Sequence, residues 1–271
     1  TVQERSKGMI NKVIEIVREA SSLMQRRDFT VETKGSISNN VTTIDYAVQE
    51  CLKNRLSPLI SGCTFIGEEN CKEELLNSER CFWIVDPIDG TANFIRDMAL
   101  SVISVGLIKN GTPVLGVVYN PYRDEMFYAE AGKGAFLNDE PIRVSDRIFA
   151  KSVFCTAFSL YNKNYAKPCI KIMEKAYYEC EDVRRLGSAA LELAYLACGR
   201  VDLFFEIRMF PWDFAAAEII VREAGGYTGT IGSEKIAYSR PIPLICANTK
   251  ENYEHLKRMV SDEIPVVPYS K

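Results

Sequence analysis

The sequence predicts a layered α+β protein, and two patterns lead to that prediction. Apolar stretches in 101–136 form two successive hairpins, with turns at Asn110-Gly111 and at 132–134. Later in the chain, strand-like and helix-like segments alternate instead. Sheets built from such segments need helices to cover their apolar faces. We therefore expect two joined halves in a chain of 271 residues, an α+β half at 1–145 and an α/β half at 146–271.

The elements of the first half follow from periodicity and end signals. Residues 4–26 carry a stripe of Ile, Val and Met side chains at helical spacing, which predicts an amphipathic helix. After a polar loop at 34–40, a second helix is predicted over 43–59 and ends near a proline. Short apolar runs at 64–66 and 81–85 predict two strands, the second of them buried.

The second half has a regular alternation of elements, with glycines marking helix ends. Gly199 and the pair Gly225-Gly226 are the expected stops of two of its helices. Strands are predicted at 153–157, 201–206 and 243–247, and helices at 166–179, 188–198, 213–224 and 252–260.

The overall charge and the hydropathy pattern exclude several classes of function. The formal net charge of −3 provides no basic surface for nucleic acid or for an anionic membrane. No apolar run approaches the roughly 18 residues that a membrane-spanning helix needs, and no signal peptide is apparent. We therefore expect neither a nucleic-acid partner nor a membrane partner.

Cysteine and histidine usage narrows the chemistry further. The nine Cys residues are scattered and form no C-x-x-C pair, which is typical of reduced thiols and predicts a cytoplasmic protein. His255, the single His, lies beside Lys257 and Arg258 in a helical segment, so a surface position is expected. One His makes a Ser-His-Asp hydrolase or a His-rich zinc site a poor explanation. Carboxylates are the main remaining candidates for chemistry.

The most informative motif is D-P-I-D-G-T-A-N-F at 86–94, directly after an apolar strand. Asp86 and Asp89 are expected to leave the core together at the strand end. Two carboxylates so close repel each other, and their burial is costly unless a cation compensates. Mg²⁺ is the simplest such cation, because it binds carboxylate and phosphate oxygens. Gly90 and Thr91 can offer backbone N–H groups to a phosphate at the start of a short helix.

Three further acidic residues stand at the ends of elements. Glu68 follows the strand T-F-I-G, Asp213 opens a helix after P-W, and Asp45 opens the second helix. Taken singly, Glu68 is explained as a solvated loop end, Asp213 as a helix cap, and Asp45 as a helix cap or an exposed residue. Asp89 before a glycine is likewise explained as a plain turn. Taken together, converging element ends would form the oxygen-rich cage that Mg²⁺ uses.

Three segments resemble the signatures of the inositol monophosphatase family, which belongs to the lithium-sensitive, magnesium-dependent sugar phosphatases. They are G-E-E at 67–69, W-I-V-D-P-I-D-G-T-A-N-F at 83–94 and P-W-D-F-A-A-A-E-I-I-V-R-E-A-G-G at 211–226. In addition, R-L-G-S-A-A-L-E-L-A-Y-L-A-C-G-R-V-D at 185–202 resembles bacterial members of the family. The resemblance covers nearly the whole chain and implies a layered α/β/α/β/α sandwich and a homodimer.

The family resemblance implies a site for two to three Mg²⁺ ions. Glu68, Asp86 and the Ile88 carbonyl would hold one ion. Asp86, Asp89 and Asp213 would hold a second, and a third, weaker ion would lie near Glu68.

The resemblance also implies catalytic and substrate-binding roles. Asp45, Thr91 and Glu68 would be catalytic: the Thr91 hydroxyl would contact the attacking water, and Asp45 would pair with Thr91 and help to take the proton. The implied substrate-binding residues are Ile88, Gly90, Thr91, Gly187, Ser188, Ala189, Glu206 and Asp213. Lys34 and V-T-T-I-D at 41–45 resemble the family's N-terminal motif.

The function implied is that of a phosphoric monoester hydrolase acting on myo-inositol 1-phosphate or a related phosphorylated sugar or polyol. The alternatives are a fructose-1,6-bisphosphatase or a 3′(2′),5′-bisphosphate nucleotidase of the same fold. A bisphosphate needs a second anion site, for which Arg184, Arg185 and Arg208 are candidates; the simpler interpretation is that they are solvated surface charges. Another alternative is a non-catalytic role in a transcription complex, in which some bacterial relatives are implicated.

The chain departs from the family pattern at three places. One is R-M-F-P at 208–211, before W-D, which differs from the animal inositol enzymes and resembles bacterial members. The N-terminal motif commonly contains D-L-V-T, whereas this chain has N-N-V-T at 39–42, so one carboxylate is lost. The helix after W-D has Ala217 where a glycine is common, which adds one methyl group and predicts a difference in packing.

Overall fold

The computed structural model describes residues 8–34, 40–69, 71, 80–158, 163–232 and 235–264. These residues form one seven-stranded sheet, one five-stranded sheet and a small two-stranded ribbon. The ribbon pairs β1 (Val31–Thr33) with β2 (Asn40–Thr42). None of the described helices is both long enough and apolar enough to cross a membrane.

The seven-stranded sheet has its strands in chain order, and its neighbours are antiparallel except for the first two strands, which are parallel. Its hairpin between the third and fourth strands turns at Asn110 and Gly111, both with positive φ, as the Asn-Gly signal predicts. The strands are β3 (Thr64–Gly67), β4 (Cys81–Asp89), β5 (Val102–Lys109), β6 (Thr112–Asn120), β7 (Glu125–Glu130), β8 (Ala135–Leu137) and β9 (Glu140–Ile142).

The five-stranded sheet is mixed, and a crossover connection brings its third strand in sequence to the centre. Its strands are β10 (Val153–Ala157), β11 (Asp182–Arg184), β12 (Leu203–Met209), β13 (Tyr227–Gly229) and β14 (Ile242–Ala247). Their spatial order is β11-β10-β12-β14-β13, with β10 parallel to β11 and β12. This parallel arrangement fits the predicted alternation of strands and helices.

The helices complete five layers. They are α1 (Gly8–Ser21), α2 (Thr43–Leu56), the short α3 (Thr91–Ile95), α4 (Ala166–Glu179), α5 (Ala189–Ala197), α6 (Pro211–Glu223) and α7 (Lys250–Glu263). Helices α1 and α2 cover the outer face of the seven-stranded sheet, whereas α4 and α7 cover the outer face of the other sheet. Helices α5 and α6 are packed between the two sheets. This α/β/α/β/α order confirms the predicted fold class.

Strand β4 shows how alternation of side chains separates the layers. Trp83 and Val85 face the core under α1 and α2, whereas Phe82 and Ile84 face the core that holds α5 and α6. Since successive side chains of a strand point to opposite faces, a continuous apolar run implies burial on both faces.

Two cross-strand glycines allow α6 to approach the seven-stranded sheet. Gly106 on β5 and Gly116 on β6 are direct partners in the register. A Cβ atom on Gly116 would lie 2.2 Å from the Ala216 carbonyl oxygen and 2.6 Å from Ile219 Cγ2. A Cβ on Gly106 would meet Ile84 Cγ2 at 3.0 Å. The helix that carries Asp213 therefore rests on bare strand backbone.

Most predicted elements are confirmed, and the differences have physical causes. Strand β4 continues beyond residue 85, because a register shift lets it pair with β5 as far as Asp89 opposite Val102. Strand β12 likewise continues to Met209 through a register shift. Strands β1, β2, β9, β11 and β13 were not predicted, since three residues are too few for a clear period. Of the loop predicted at 34–40, residues 35–39 lie outside the described residues.

The core between the sheets draws on both predicted halves. Phe82 and Val118 of the seven-stranded sheet share it with Phe204 and Leu244 of the five-stranded sheet. The division at residues 145 and 146 stays a prediction. The added methyl of Ala217 is fully buried in the same core.

Candidate active site

One cavity of about 430 Å³ opens between the two sheets. Every catalytic, substrate-binding and metal-ligand residue predicted from the sequence lines it except Asp45, whose Oδ1 lies 3.4 Å from Thr91 Oγ1. The predicted residues that line the cavity are Glu68, Asp86, Ile88, Asp89, Gly90, Thr91, Gly187, Ser188, Ala189, Glu206 and Asp213. His255 is remote from this group: it stacks on Phe149 and contacts Glu179 at the surface.

The end of β4 positions two carboxylates. Asp86 pairs with Ser104 and Asp89 with Val102 across the ladder, and the register shift between them absorbs the D-P-I-D segment. The backbone N–H of Ile88 donates to Asp86 Oδ1 at 3.0 Å, which fixes one carboxylate orientation. Asp86 and Asp89 are both buried and both line the cavity, so the strand brings two acidic groups to one site.

Gly90 makes the turn from β4 into α3. Its φ of 90° is in the left-handed region, where a side chain is strained. A Cβ would also crowd the Leu100 carbonyl oxygen at 3.0 Å and Ser188 Cβ at 3.1 Å. Glycine is therefore required at this turn, which brings the backbone of Thr91 to the cavity wall.

Asp213 reaches the cavity from the first turn of α6. Its Oδ2 accepts a hydrogen bond from the Phe210 N–H at 2.8 Å, so it caps the helix as the simpler interpretation proposed. It also lines the cavity with Asp86 and Asp89, so the two interpretations are compatible. The other oxygen remains available to a ligand.

Glu68 stands at the end of β3 beside a lysine. Lys34 Nζ lies 3.6 Å from Glu68 Oε1 and forms a closer ion pair with the buried Glu69. The Gln49 side chain holds this segment: its Nε2 donates to the Glu69 carbonyl at 2.6 Å, and its Oε1 accepts from the Glu69 N–H at 2.9 Å. The missing side chain of Gly67 makes room for Gln49. Gln49 was not predicted as a site residue, because it lies outside the quoted motifs.

We expect Gln49→Met to weaken Mg²⁺ binding by about 10-fold, since loss of a residue that orients a metal ligand typically has that effect. Both amide hydrogen bonds to the Glu69 backbone would be lost next to Glu68. Calorimetric titration of the metal-free protein with Mg²⁺ measures the change. Gln25→Met, on an exposed segment of the chain, is the matched control. Wild-type affinity in Gln49→Met would show that Gln49 has only a structural role.

Burial and mutual repulsion raise the pKa values of the clustered carboxyls. Burial first, and then the charges of Glu68 and Asp89, raise the pKa of Asp86 well above its usual range. Burial also raises the pKa of Glu68 to about 7 and that of Asp89 to about 6. The pKa of Asp213 is raised by burial and by the neighbouring acids. Such a group of acids favours binding of a compensating cation.

The donor set fits a hard divalent cation. Asp89 Oδ2 accepts from Ser188 Oγ and the Ala190 N–H, both at 2.7 Å, which leaves its second oxygen for a ligand. Among the described residues, no group of three acidic, His or Cys side chains lies close enough together to hold a metal ion. Asp86, Asp89 and Asp213 line the same cavity, but their side chains are not at the mutual distances of a formed metal shell.

The raised pKa values predict an unusual pH dependence of stability. The pKa values of Asp45, Glu68 and Asp89 are about 6, 7 and 6, whereas unfolded carboxyls ionise near about 4. The folded chain therefore binds more protons above pH 4, and this contribution to stability is lost as pH rises through 6 and 7. We expect the melting temperature in EDTA to fall between about pH 5 and pH 8.

Added Mg²⁺ supplies the control for this effect, since a bound cation favours the ionised carboxylates. Mg²⁺ at pH 8 should restore much of the lost stability and flatten the profile. A melting temperature in EDTA that stays constant or rises over the same interval would contradict the electrostatic account.

Thr91 and Asp45 form the predicted pair. Thr91 Oγ1 lies 3.4 Å from Asp45 Oδ1 and 3.1 Å from the Ile88 carbonyl oxygen. Asp45 Oδ2 accepts from the Thr42 N–H at 2.7 Å and from the Thr42 hydroxyl at 2.5 Å, which completes the capping box of α2. Burial raises the pKa of Asp45 to about 6, in spite of these hydrogen bonds.

Another wall of the cavity is formed by the loop before α5, which contains Gly187 and Ser188. Gly187 has a positive φ of 79°, and the side chain of Asn93 lies against it. Glu192 Oε1 accepts from the Leu186 N–H at 2.5 Å and the Gly187 N–H at 3.2 Å. Asn93 Nδ2 donates to the Leu186 carbonyl at 2.8 Å. Glu192 and Asn93 lie in the quoted segments at 185–202 and 86–94 but were not predicted as site residues, because a motif does not show which side chain orients a loop.

The three candidate arginines have different environments. Arg184 is exposed and pairs with Asp182 at 2.5 Å, which fits the simpler interpretation as a surface charge. Arg185 and Arg208 line the cavity, and so does Arg96, which sequence analysis did not name.

The five-layer fold, with carboxylates from two strand ends and one helix start around one cavity, defines the class of sugar-phosphatase-like proteins. The model of the inositol monophosphatase family matches residues 1–264, and the chain belongs to that family. The resemblance inferred from the three sequence segments is thereby confirmed.

Relatives of known sequence include the Nus factor SuhB of Escherichia coli strain K12. It is 40% identical over 223 residues, which cover 80% of this chain and 83% of the relative. The Nus factor SuhB of Vibrio cholerae is 34% identical over 259 residues, covering 90% of this chain and 96% of the relative. Because these relatives are named Nus factors, the expectation that the chain has no nucleic-acid partner is not confirmed.

Solved structures agree on the fold. The extragenic suppressor protein suhB of Bartonella henselae has a TM-score of 0.84 and 31% identity, covering 94% of this chain and 98% of that one. An IMPase of Thermotoga maritima has a TM-score of 0.83 and 32% identity, covering 93% and 96%.

Proposed function

We propose that the chain is a Mg²⁺-dependent phosphomonoesterase that hydrolyses myo-inositol 1-phosphate or a related phosphorylated sugar or polyol in the cytoplasm. The observation that carries the proposal is the convergence of Glu68, Asp86, Asp89 and Asp213 on one cavity. Such an acidic site would repel a phosphate ester unless cations were bound in it. Family membership supports a phosphatase of the same class.

The metal-binding residues would be Glu68, Asp86, Asp89, Asp213 and the Ile88 carbonyl, for two to three ions. When bound, Mg²⁺ would lower the pKa of a coordinated water and offset negative charge on the phosphate.

Thr91 and Asp45 would orient and deprotonate the attacking water. The Thr91 hydroxyl is already held by the Ile88 carbonyl and Asp45, so its position is fixed before substrate binds. The pKa of Asp45, about 6, suits a proton acceptor near neutral pH. Backbone N–H groups of Gly90 and Thr91 would bind the phosphate.

The alcohol portion of the substrate would lie between β12 and the loop before α5. Gly187, Ser188 and Ala189 would line its pocket, and Glu206 would accept a hydrogen bond from one of its hydroxyls. Ser188 also donates to Asp89, so binding of the alcohol and orientation of a metal ligand share one element.

The test is phosphate release from myo-inositol 1-phosphate, fructose 1,6-bisphosphate and adenosine 3′,5′-bisphosphate with Mg²⁺ present. We expect turnover of at least one of them, lost in EDTA and inhibited by LiCl at limiting Mg²⁺, because Li⁺ resembles Mg²⁺ in size but carries half its charge. No hydrolysis of any of the three would overturn the proposal.

A second candidate function is a non-catalytic role in a transcription complex. It is favoured by relatives that carry the name Nus factor. The two functions are separated by cells in which Asp86→Asn replaces the wild-type chain. If the cell needs the phosphatase activity, cells with Asp86→Asn should show a growth defect. If the chain acts only as a structural partner, these cells should grow like the wild type.

A further inference from the structure

Arg208 is held on a stack of aromatic rings at the cavity wall. Its guanidinium carbon lies 5.1 Å from the centroid of the Phe210 ring. Phe210 in turn stacks on Trp212, with ring centroids 4.9 Å apart and planes within 4°. Arg208 is half-buried, and Trp212 is buried. The stack restricts the rotamers of a long side chain, so that its planar fork of N–H donors is preorganised.

Arg208 has no acidic partner among the described residues, although it lies in an acidic cavity. Arg185, which also lines the cavity, attracts the carboxylates of Glu206 and Glu192 and counteracts part of the rise in their pKa values. Glu206 is only two residues from Arg208 on β12, yet the Arg208 guanidinium turns onto Phe210 instead. Arg208 therefore presents donors that no carboxylate of the described chain satisfies.

The position of Arg208 relates it to the proposed reaction centre. Arg208 lies on β12, and Asp213 lies in the first turn of α6, the helix that follows β12 in the chain. Both residues line the same cavity, so the arginine and a proposed metal ligand belong to one site. A cavity of about 430 Å³ exceeds the space that a single phosphate group needs, so a substrate could contact both ends. Planar guanidinium groups bind phosphate by two parallel hydrogen bonds.

We propose that Arg208 binds a second phosphate of the substrate, so that the preferred substrate is a sugar or polyol bisphosphate. One phosphate is hydrolysed beside Asp86 and Asp89, and the other is bound by Arg208. This inference rests on the proposed phosphomonoesterase function and adds the substrate class to it. The aromatic stack under Arg208 keeps the guanidinium in place for the second phosphate.

Fructose 1-phosphate and fructose 1,6-bisphosphate are a matched pair of probes, since they differ only by the second phosphate. The measured quantity is the ratio of kcat/KM for the bisphosphate to kcat/KM for the monophosphate, with Mg²⁺ saturating. We expect a ratio of about 10 to 100 for the wild type, which is the range of a charge-assisted hydrogen-bonded pair. Arg208→Gln should lower it to about 1, whereas Arg208→Lys and Phe210→Leu should give intermediate values.

The control is Arg55→Gln, which removes an equal charge from the surface of α2, where Arg55 pairs with Glu19. It should leave the ratio at the wild-type value. A wild-type ratio near 1, or a ratio that Arg208→Gln does not change, would overturn the role of Arg208 while leaving the phosphatase intact. Hydrolysis of neither ester, nor of myo-inositol 1-phosphate, would instead refute the proposed function itself.

Discussion

Asp86→Asn is expected to abolish Mg²⁺-dependent phosphate release while raising the stability of the metal-free protein. Asp86 is buried at the centre of four acids, and its pKa is raised by burial and by their charges. The amide retains the acceptor for the Ile88 N–H but carries no charge. We expect a loss in kcat/KM of about 1,000-fold, as when a preorganised electrostatic group is removed from a catalytic site.

The stability of Asp86→Asn should change in the opposite direction. At pH 8 in EDTA the variant avoids the repulsion that the wild-type acid experiences, so its free energy of unfolding should rise by about 1 kcal/mol or more. Urea unfolding and steady-state kinetics on one preparation measure both effects. Asp28→Asn, an exposed acid paired with Arg26, is the control and should change neither quantity. A destabilised and inactive Asp86→Asn would mean that the carboxylate serves the fold.

Gly116→Ala is expected to be the most destabilising single-methyl change in the seven-stranded sheet. The new Cβ would lie 2.2 Å from the Ala216 carbonyl oxygen, which belongs to the backbone of α6 and cannot rotate away. Overpacking of this kind costs about 3 kcal/mol, which for a chain of this size corresponds to a drop of about 8 °C in melting temperature. Because α6 carries Asp213, we also expect weaker Mg²⁺ binding.

Two further alanine substitutions calibrate this prediction. Gly106→Ala should cost less, because its Cβ meets a side-chain methyl at 3.0 Å and a backbone nitrogen at 3.3 Å. Gly8→Ala, at the start of α1 with only Lys12 Cε at 3.9 Å, should be neutral or slightly stabilising. Equal melting temperatures for Gly116→Ala and Gly8→Ala would contradict the close approach of α6 to the sheet.

The acidic end of the cavity could be predicted from sequence because its residues sit in contiguous motifs. Asp86 and Asp89 are three residues apart on one strand, so their proximity follows from local geometry. Glu68 and Asp213 were candidates because they stand at element ends. That they join Asp86 and Asp89 followed from the family resemblance, since no periodicity relates a strand end to a helix start more than a hundred residues away. The structure brings all four together at the predicted cavity wall.

The residues that orient the site were harder to predict. Gln49 acts through the backbone of Glu69, and Glu192 acts through the N–H groups of Leu186 and Gly187. Such contacts depend on the packing of separate elements. Gln49 lies outside the quoted motifs, and the segment at 185–202 does not show which backbone groups Glu192 contacts. The role of Arg208 was left open for the same reason, since its environment depends on Phe210 being turned toward Trp212.

The most direct test of the account is anomalous scattering from crystals grown with Mn²⁺ in place of Mg²⁺. We expect a peak in the cavity at about 2.2 Å from carboxylate oxygens of Asp86 and Asp89, with Asp213 or Glu68 completing the shell. The same experiment on Asp86→Asn should show no peak at this position. Ordered Asp86, Asp89 and Asp213 side chains with no anomalous peak between them in the wild type would contradict the central claim that these carboxylates form a metal site.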